Sequence, residues 1–346
     1  MRILTVLGTR PEIIRLSKTV KLIDELIGVK NHFLFWTGQN GDSNLSDIFF
    51  DEFGIRDPDV KMRGTGGSFS GQISNTFPIF DDTLRSFQPN KVLVLGDTNS
   101  SLLAIVAERN GFPVYHVEAG NRTYGPKYAE EVNRRIIDSI SSVHMCYNER
   151  ARMNLLREGI PIDKTYVVGN PIHELLGSIN PRKTLSEGYV LVTIHRQETV
   201  DDVHKLRRTV NALKWINEKH KIVSCLHPRT VDRLSAADIQ FPGEQLGSIG
   251  WHRFVNKLNN ASCVVTDSGT VQEEAAFLGV PCVIAREAHE RHAEMELGGS
   301  ILDPDFNLGT VEMAIGLRWS VGRERPMLMG SPSGSIVSIL LGRNHG

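Results

Sequence analysis

The chain has 346 residues, more than one hydrophobic core normally serves, so two domains are expected. Its 39 Lys and Arg nearly cancel its 40 Asp and Glu, which excludes a nucleic-acid-coating or membrane-surface protein, since those carry a basic excess. The apolar share (40%) and charged share (23%) are those of a globular protein, and no apolar run approaches the roughly 18 residues of a membrane span.

In chain order, short β-branched apolar runs at 3–7, 32–36, 92–95, 114–117, 143–147, 166–168, 189–193, 222–226, 263–266 and 281–285 alternate with helical patterns such as 83–87, 133–141, 203–218 and 271–278. Such alternation predicts parallel sheets covered on both faces, and the number of runs predicts two sheets, each its own domain. The break at Asn180-Pro181-Arg182-Lys183 marks the boundary: residues 1–180 form one Rossmann-like domain and 181–330 a second, with 331–346 as a tail. The Gly-rich stretch 63–71 reads as a flexible loop. The start, Met1-Arg2 followed by a strand-like run, does not read as a signal peptide. Cys146, Cys225, Cys263 and Cys282 are scattered with no CxxC pair, so a reducing cytoplasm is expected.

In open parallel sheets, ligands bind beyond the carboxyl ends of the strands. Charged or hydrogen-bonding residues follow nearly every run here: Gly8-Thr9-Arg10-Pro11-Glu12, Gly38-Gln39-Asn40, Gly96-Asp97-Thr98, Glu118-Ala119-Gly120, His195-Arg196, His227-Pro228 and Asp267-Ser268-Gly269-Thr270. They predict a polar cleft between the domains, suited to a sizeable ligand. Thr9-Arg10-Pro11-Glu12 is a capping box, a plain helix start whose N–H groups, with Arg10, also suit an anion. Asp267-Ser268-Gly269-Thr270 opens a second helix and is a second candidate anion site; of Glu273-Glu274 on its first turn, one could simply complement the helix dipole, and a carboxylate there could also accept two ribose hydroxyls.

No G-x-G-x-x-G follows a strand, no P-loop and no G-x-S-x-G occur, which disfavours bound NAD or FAD, P-loop kinases and serine hydrolases. His289 and His292 lack further ligands at a compelling spacing and flank Arg291, so no metal is expected. His227 reads equally as a helix cap, whereas His195 stands where an anion is already expected. Asp97, Glu118 and Glu130 sit at strand–loop–helix junctions; each alone could be a cap, but carboxylates held together can serve as acids and bases near neutral pH.

These motifs, with His116-Val117-Glu118-Ala119-Gly120, Glu130-Glu131-Val132-Asn133-Arg134 and Gly169-Asn170-Pro171, are collinear with the non-hydrolysing UDP-N-acetylglucosamine 2-epimerase family, which the sequence resembles over essentially its whole length. The resemblance implies an α/β fold of two Rossmann-like domains, of the type B glycosyltransferase kind, with an inter-domain active-site cleft and a final helix crossing back to the first domain. It implies reversible C2 epimerisation of a UDP-2-acetamido sugar by anti elimination of UDP and re-addition through a 2-acetamidoglucal, with no cofactor. Asp97, Glu118, Glu130 and His195 would be catalytic. Arg10, Arg15, Gln39, Arg134, His227, Ser268, Gly269, Thr270, Glu274 and Arg291 would bind substrate. The only expected partners are a UDP-sugar and a second copy in a homodimer, with no nucleic acid or membrane.

Three departures, Arg15 where the family carries Lys, the short Asn121-Arg122-Thr123 loop, and Arg286 to Arg291, resemble the subgroup that forms UDP-N-acetyl-L-fucosamine from UDP-2-acetamido-2,6-dideoxy-L-talose. His292-Ala293 replaces that subgroup's Pro-Glu. Substrate therefore stays open between UDP-N-acetylglucosamine and the 6-deoxy-L-talose sugar. The alternatives are a hydrolysing 2-epimerase, a glycosyltransferase on the same fold, or a degenerate UDP-sugar-binding protein.

Overall fold

A computed structural model describes residues 1–39, 43–62, 67–123, 128–179, 188–287, 299–321 and 330–342. Arg291, the His289–His292 pair, the break at 180–183 and residues 63–66 of the 63–71 stretch lie outside these residues. The chain folds as two compact units, Met1–Glu174 with the C-terminal helix, and Leu175–Met327.

In the first unit the chain runs β1 (Ile3–Leu7), α1 (Arg10–Ile27), β2 (His32–Trp36), α2 (Ser43–Phe53), β3 (Val60–Lys61), α3 (Phe69–Phe87), β4 (Lys91–Leu95), α4 (Leu103–Arg109), β5 (Val114–Val117), α5 (Ala129–Ile140), β6 (Val143–Cys146), α6 (Glu149–Arg157), β7 (Thr165–Val167) and α7 (Pro171–Leu176). Its seven strands pair in parallel in the order β3-β2-β1-β4-β5-β6-β7. Every residue of β1 is buried, as an unbroken apolar run covered on both faces requires. Leu4, Val6, Phe35, Val92 and Val94 of the sheet pack with Phe80, Leu84, Leu103 and Ile137 of the helices.

The second unit runs β8 (Tyr189–Thr193), α8 (Gln197–Val200), α9 (Val203–Asn217), β9 (Lys221–Cys225), α10 (Pro228–Ala236), β10 (Glu244–Leu246), α11 (Trp251–Asn260), β11 (Cys263–Thr266), α12 (Gly269–Leu278), β12 (Cys282–Ile284), β13 (Ser300–Leu302) and α13 (Leu308–Val321). Six parallel strands lie in the order β10-β9-β8-β11-β12-β13. Val190, Val192, Ile222, Val265 and Val283 pack against Leu206, Val210, Leu213 and Val311. The last helix, α14 (Pro332–Leu341), returns to the first unit and packs on α1, with Ile336, Val337 and Leu340 buried. Among the described residues no helix is long and apolar enough to cross a membrane.

Two differences from the sequence reading have local causes. Residues 69–71 are not loop but the first turn of α3, because Ser68 caps it by accepting the Gly71 N–H at 3.2 Å. The helix also runs through Pro78, so the pattern at 83–87 is only its last turn. Burial of Thr76, Phe80, Thr83 and Leu84 outweighs the missing N–H. The short strands β3, β10 and β13 were not anticipated.

Candidate active site

In the first unit the polar residues gather at the carboxyl ends of β1, β2, β4 and β5. Gly8 follows β1, and a Cβ there would lie 1.8 Å from Ser100 Oγ, so only glycine lets the β1 and β4 loops meet. Ser100 is the hub of that meeting: its hydroxyl lies 2.6 Å from Thr37 Oγ1, and its N–H and hydroxyl donate to Gln39 Oε1 at 3.0 and 2.9 Å. The carbonyl of Gln39 is thus committed to Ser100, leaving its amide N–H groups as what it can offer a ligand.

The loop that carries Asp97 is tied at each successive residue. The Gly96 carbonyl accepts from His116 Nε2 at 2.9 Å, and the Asp97 carbonyl accepts from Asn133 Nδ2 at 2.9 Å. Thr98 donates to Glu12 at 2.7 Å, Asn99 donates to Gln72 at 2.8 Å, and Ser101 donates to the Leu95 carbonyl at 2.7 Å. The Asp97 carboxylate itself is partly exposed and pairs with Arg134, a buried side chain of α5 that also donates to Glu131 at 2.7 Å.

Glu118 stands one residue beyond β5 in the left-handed region, at φ 71°. A non-glycine residue there costs of order 1–3 kcal/mol and persists only where its surroundings fix it. Here they do: its N–H donates to the Met145 carbonyl at 3.0 Å, its carboxylate pairs with buried Arg15 of α1, and Tyr147 Oη donates to it at 3.1 Å. A Cβ at Gly96, the neighbour of Asp97, would lie 3.8 Å from Glu118 Oε2, so the two carboxylate loops adjoin. Glu130 is half-buried on the first turn of α5, while adjacent Glu131 turns inward to accept the Thr123 N–H at 2.9 Å. Arg10, at the start of α1, lies with its guanidinium 5.8 Å from the Phe49 ring centroid.

The anion-binding reading of the α1 start meets a competitor within the chain. Glu12 is buried and accepts the N–H groups of Gly8 and Thr9 as well as the Thr98 hydroxyl. Burial pushes its carboxyl up to about 7, outweighing these donors, which favour the charged form. Between about 4.5 and about 7 the folded chain therefore binds more protons here than the unfolded chain, and the stability this carboxyl contributes is lost as pH rises through that window. His173 acts oppositely: burial, and then the charge of Arg15, lower it from 6.5 to about 4, so its contribution grows as pH rises through that range. Comparing wild type with Glu12→Gln cancels the histidine. The wild type should lose roughly 3 kcal/mol relative to the variant between pH 4.5 and 8, measured by urea unfolding. Equal slopes for the two proteins would show that Glu12 ionises normally.

In the second unit Asp267, fully buried after β11, holds the end of β8: its Oδ2 accepts the N–H groups of His195 and Arg196 at 2.9 and 2.8 Å. His195 Nδ1 lies 3.3 Å from Asp267 Oδ1, and the His195 ring stacks on that of His227, centroids 5.6 Å apart. His227 caps α10 by accepting the Arg229 N–H at 3.2 Å through Nδ1, so the helix-cap reading holds. Ser268 is the N-cap of α12, with its N–H donating to Thr266 Oγ1 at 3.0 Å, followed by buried Gly269 and half-buried Thr270. Glu274 is buried in α12 and accepts Trp251 Nε1–H at 2.7 Å. Sequence reasoning named Asp267 only as part of a motif, and passed over Tyr147 and Trp251, whose contacts join distant segments. Among the described residues, no group of three or more His, Cys, Asp or Glu side chains is placed to hold a metal ion.

The chain is similar to proteins of named activity over most of its length. Residues 29–315 match the family described as UDP-N-acetylglucosamine 2-epimerase. The UDP-N-acetylglucosamine 2-epimerase of Methanococcus maripaludis is 32% identical, covering 97% of each chain. The UDP-2,3-diacetamido-2,3-dideoxy-D-glucuronate 2-epimerase of Pseudomonas aeruginosa is 33% identical, over 87% of this chain and 88% of that one. The crystal structure of the Methanocaldococcus jannaschii UDP-GlcNAc 2-epimerase in complex with UDP-GlcNAc and UDP superposes with a TM-score of 0.90 at 32% identity, covering 99% of this chain and 100% of that one. A lipopolysaccharide outer core galactosyltransferase, 12% identical with a TM-score of 0.51, shares the fold alone, that of type B glycosyltransferases. The chain belongs to the UDP-N-acetylglucosamine 2-epimerase family.

Proposed function

We propose that the protein is a non-hydrolysing 2-epimerase that inverts C2 of a UDP-2-acetamido sugar. The observation that carries this reading is the adjoining of two carboxylate loops, with Asp97 and Glu118 each clasped by a buried arginine. The C2 hydrogen of such a sugar is not acidified by a neighbouring carbonyl, so inversion without redox chemistry proceeds by elimination. One carboxylate takes the C2 proton as UDP leaves C1, and re-addition with protonation on the opposite face completes the epimer. Glu130 completes the acid–base set. His195, with Arg10, Ser268, Gly269 and Thr270, stabilises the departing diphosphate, and His227 and Arg291 support binding. Gln39 offers its amide N–H groups to the sugar. Arg15 and Arg134 act through the carboxylates they hold.

Glu274 is the ribose acceptor in this reading, and Trp251 orients it. Trp251→Phe leaves that buried carboxylate short of a donor and should weaken UDP binding about tenfold, measured by calorimetry. Unchanged affinity would remove Glu274 from the ribose site.

Two substrates follow from the sequence: UDP-N-acetylglucosamine, for which the Methanococcus maripaludis and Methanocaldococcus jannaschii relatives are named, and UDP-2-acetamido-2,6-dideoxy-L-talose, favoured by Arg15 and the short 121–123 loop. Each is offered separately and products are resolved by NMR. An intact epimeric UDP-sugar, approached from both sides, is expected from one of them. Stoichiometric free sugar and UDP would establish the hydrolysing alternative. Tight UDP binding without turnover of either would favour a degenerate binding protein.

A further inference from the structure

The carboxylates of the first unit are carried on two separate loops, and a buried pair behind them joins the two. His116 on β5 is fully buried. Its Nε2 donates to the carbonyl of Gly96, the residue before Asp97, at 2.9 Å, and its Nδ1 donates to Asp138 Oδ1 at 2.8 Å. The other oxygen of Asp138 accepts the N–H of Gly120, two residues beyond Glu118, at 3.1 Å, and Arg122 Nη1 at 2.6 Å. Arg122 in turn donates to Glu158 at 2.8 and 2.5 Å. From β6, His144, the register partner of His116, gives its Nε2–H to the Asp138 main-chain carbonyl at 2.6 Å.

Stability alone does not call for this arrangement. Two apolar residues would fill the same space, and replacing a buried ion pair by them is often neutral or stabilising. What apolar residues cannot do is hold the Gly96 carbonyl and the Gly120 N–H at fixed positions. Gly120 itself admits no other residue, since a Cβ would fall 2.2 Å from the Ala151 carbonyl oxygen. Burial raises the Asp138 carboxyl, yet His116 and Arg122 more than offset this and hold it down at about 2. A carboxylate faces one ring nitrogen and a main-chain carbonyl the other, both acceptors, so each of the two bonds is made by an N–H of the ring.

We propose that His116 and Asp138 are positioning residues that lock the Asp97 loop to the Glu118 loop through one shared imidazole. This assignment rests on the epimerase reading for its catalytic consequence, but not for its structural one. A misplacement of about 1 Å costs on the order of 100-fold in rate, so His116→Gln and Asp138→Asn should each lower kcat by about that factor with KM and UDP affinity within about threefold. The double variant should be little worse than either single one, because both break the same lock.

The readouts that do not depend on turnover are nuclear magnetic resonance of the ring nitrogens and hydrogen exchange of the Gly120 amide. Wild type should show both His116 nitrogens protonated and a protected Gly120 N–H, with exchange at least about 100-fold faster in Asp138→Asn. A folded variant with normal kcat would overturn the proposal, as would rate and UDP affinity falling together, or a bare His116 nitrogen in wild type. If wild type turns over no UDP-sugar, the epimerase reading fails while the nitrogen and exchange results still decide the lock. If His116→Gln does not fold, the wild-type ring signals and Asp138→Asn carry the test.

Discussion

Glu118→Gln is expected to lower kcat by about 10³-fold while changing UDP affinity less than about threefold, and Asp97→Asn to behave alike, the range that loss of one acid–base group produces. Glutamine and asparagine keep the size and hydrogen-bonding reach of the acids but cannot carry the transferred proton. Neither residue is assigned a contact with UDP, so binding should survive. The buried setting adds a second effect that must be separated from the first. Glu118→Gln leaves the Arg15 guanidinium facing a neutral amide, so the variant also loses stability. UDP affinity measured on the same sample distinguishes the two, because an unfolded fraction lowers binding capacity as well as rate. Near-normal rates for both variants would remove Asp97 and Glu118 from the chemistry.

Arg15→Met is expected to cost about 3–5 kcal/mol of unfolding free energy, the range for stranding one member of a buried ion pair. Arg15 and Glu118 side chains are 3% and 2% exposed, so neither charge has water to fall back on. Tyr147 still donates one hydrogen bond to the carboxylate, which offsets only part of the loss. The double variant Arg15→Met with Glu118→Gln has no stranded charge and should recover most of the stability lost by either single change, read from urea midpoints. Its activity should remain absent. Additive losses in the double variant would mean that the pair is not coupled in solution.

The two parallel sheets were legible because their central strands, such as Ile3–Leu7 and Tyr189–Thr193, are unbroken apolar runs bounded by polar residues. The edge strands escaped notice for the opposite reason: Val60–Lys61 has two residues, and Glu244-Gln245-Leu246 has two polar residues among three. Phe69–Phe87 was hidden by Gly71 and Pro78, whose local preferences lose to the packing of Phe80 and Leu84. At the site, the residue types at the strand ends were visible, but their pairings were not. Arg15 meets Glu118 across 103 positions and Arg134 meets Asp97 across 37, and no local pattern records such contacts. Both arginines were read from the resemblance as substrate-binding residues, and their pairing with Glu118 and Asp97 in the folded chain was not legible. Glu12 shows the same limit: the capping box, which takes the Thr9 N–H, was legible, and the further loss of the Gly8 N–H to the same side chain was not.

Transfer of the C2 proton by the carboxylates of the first unit is tested most directly by turnover in D2O, with wild type, Asp97→Asn and Glu118→Gln compared on the preferred UDP-sugar. Wild type should return intact UDP-sugar carrying deuterium at C2 in both epimers, and the two variants should incorporate it more slowly by about 10³-fold. Epimerisation by wild type without deuterium at C2, or undiminished exchange in both variants, would contradict the account.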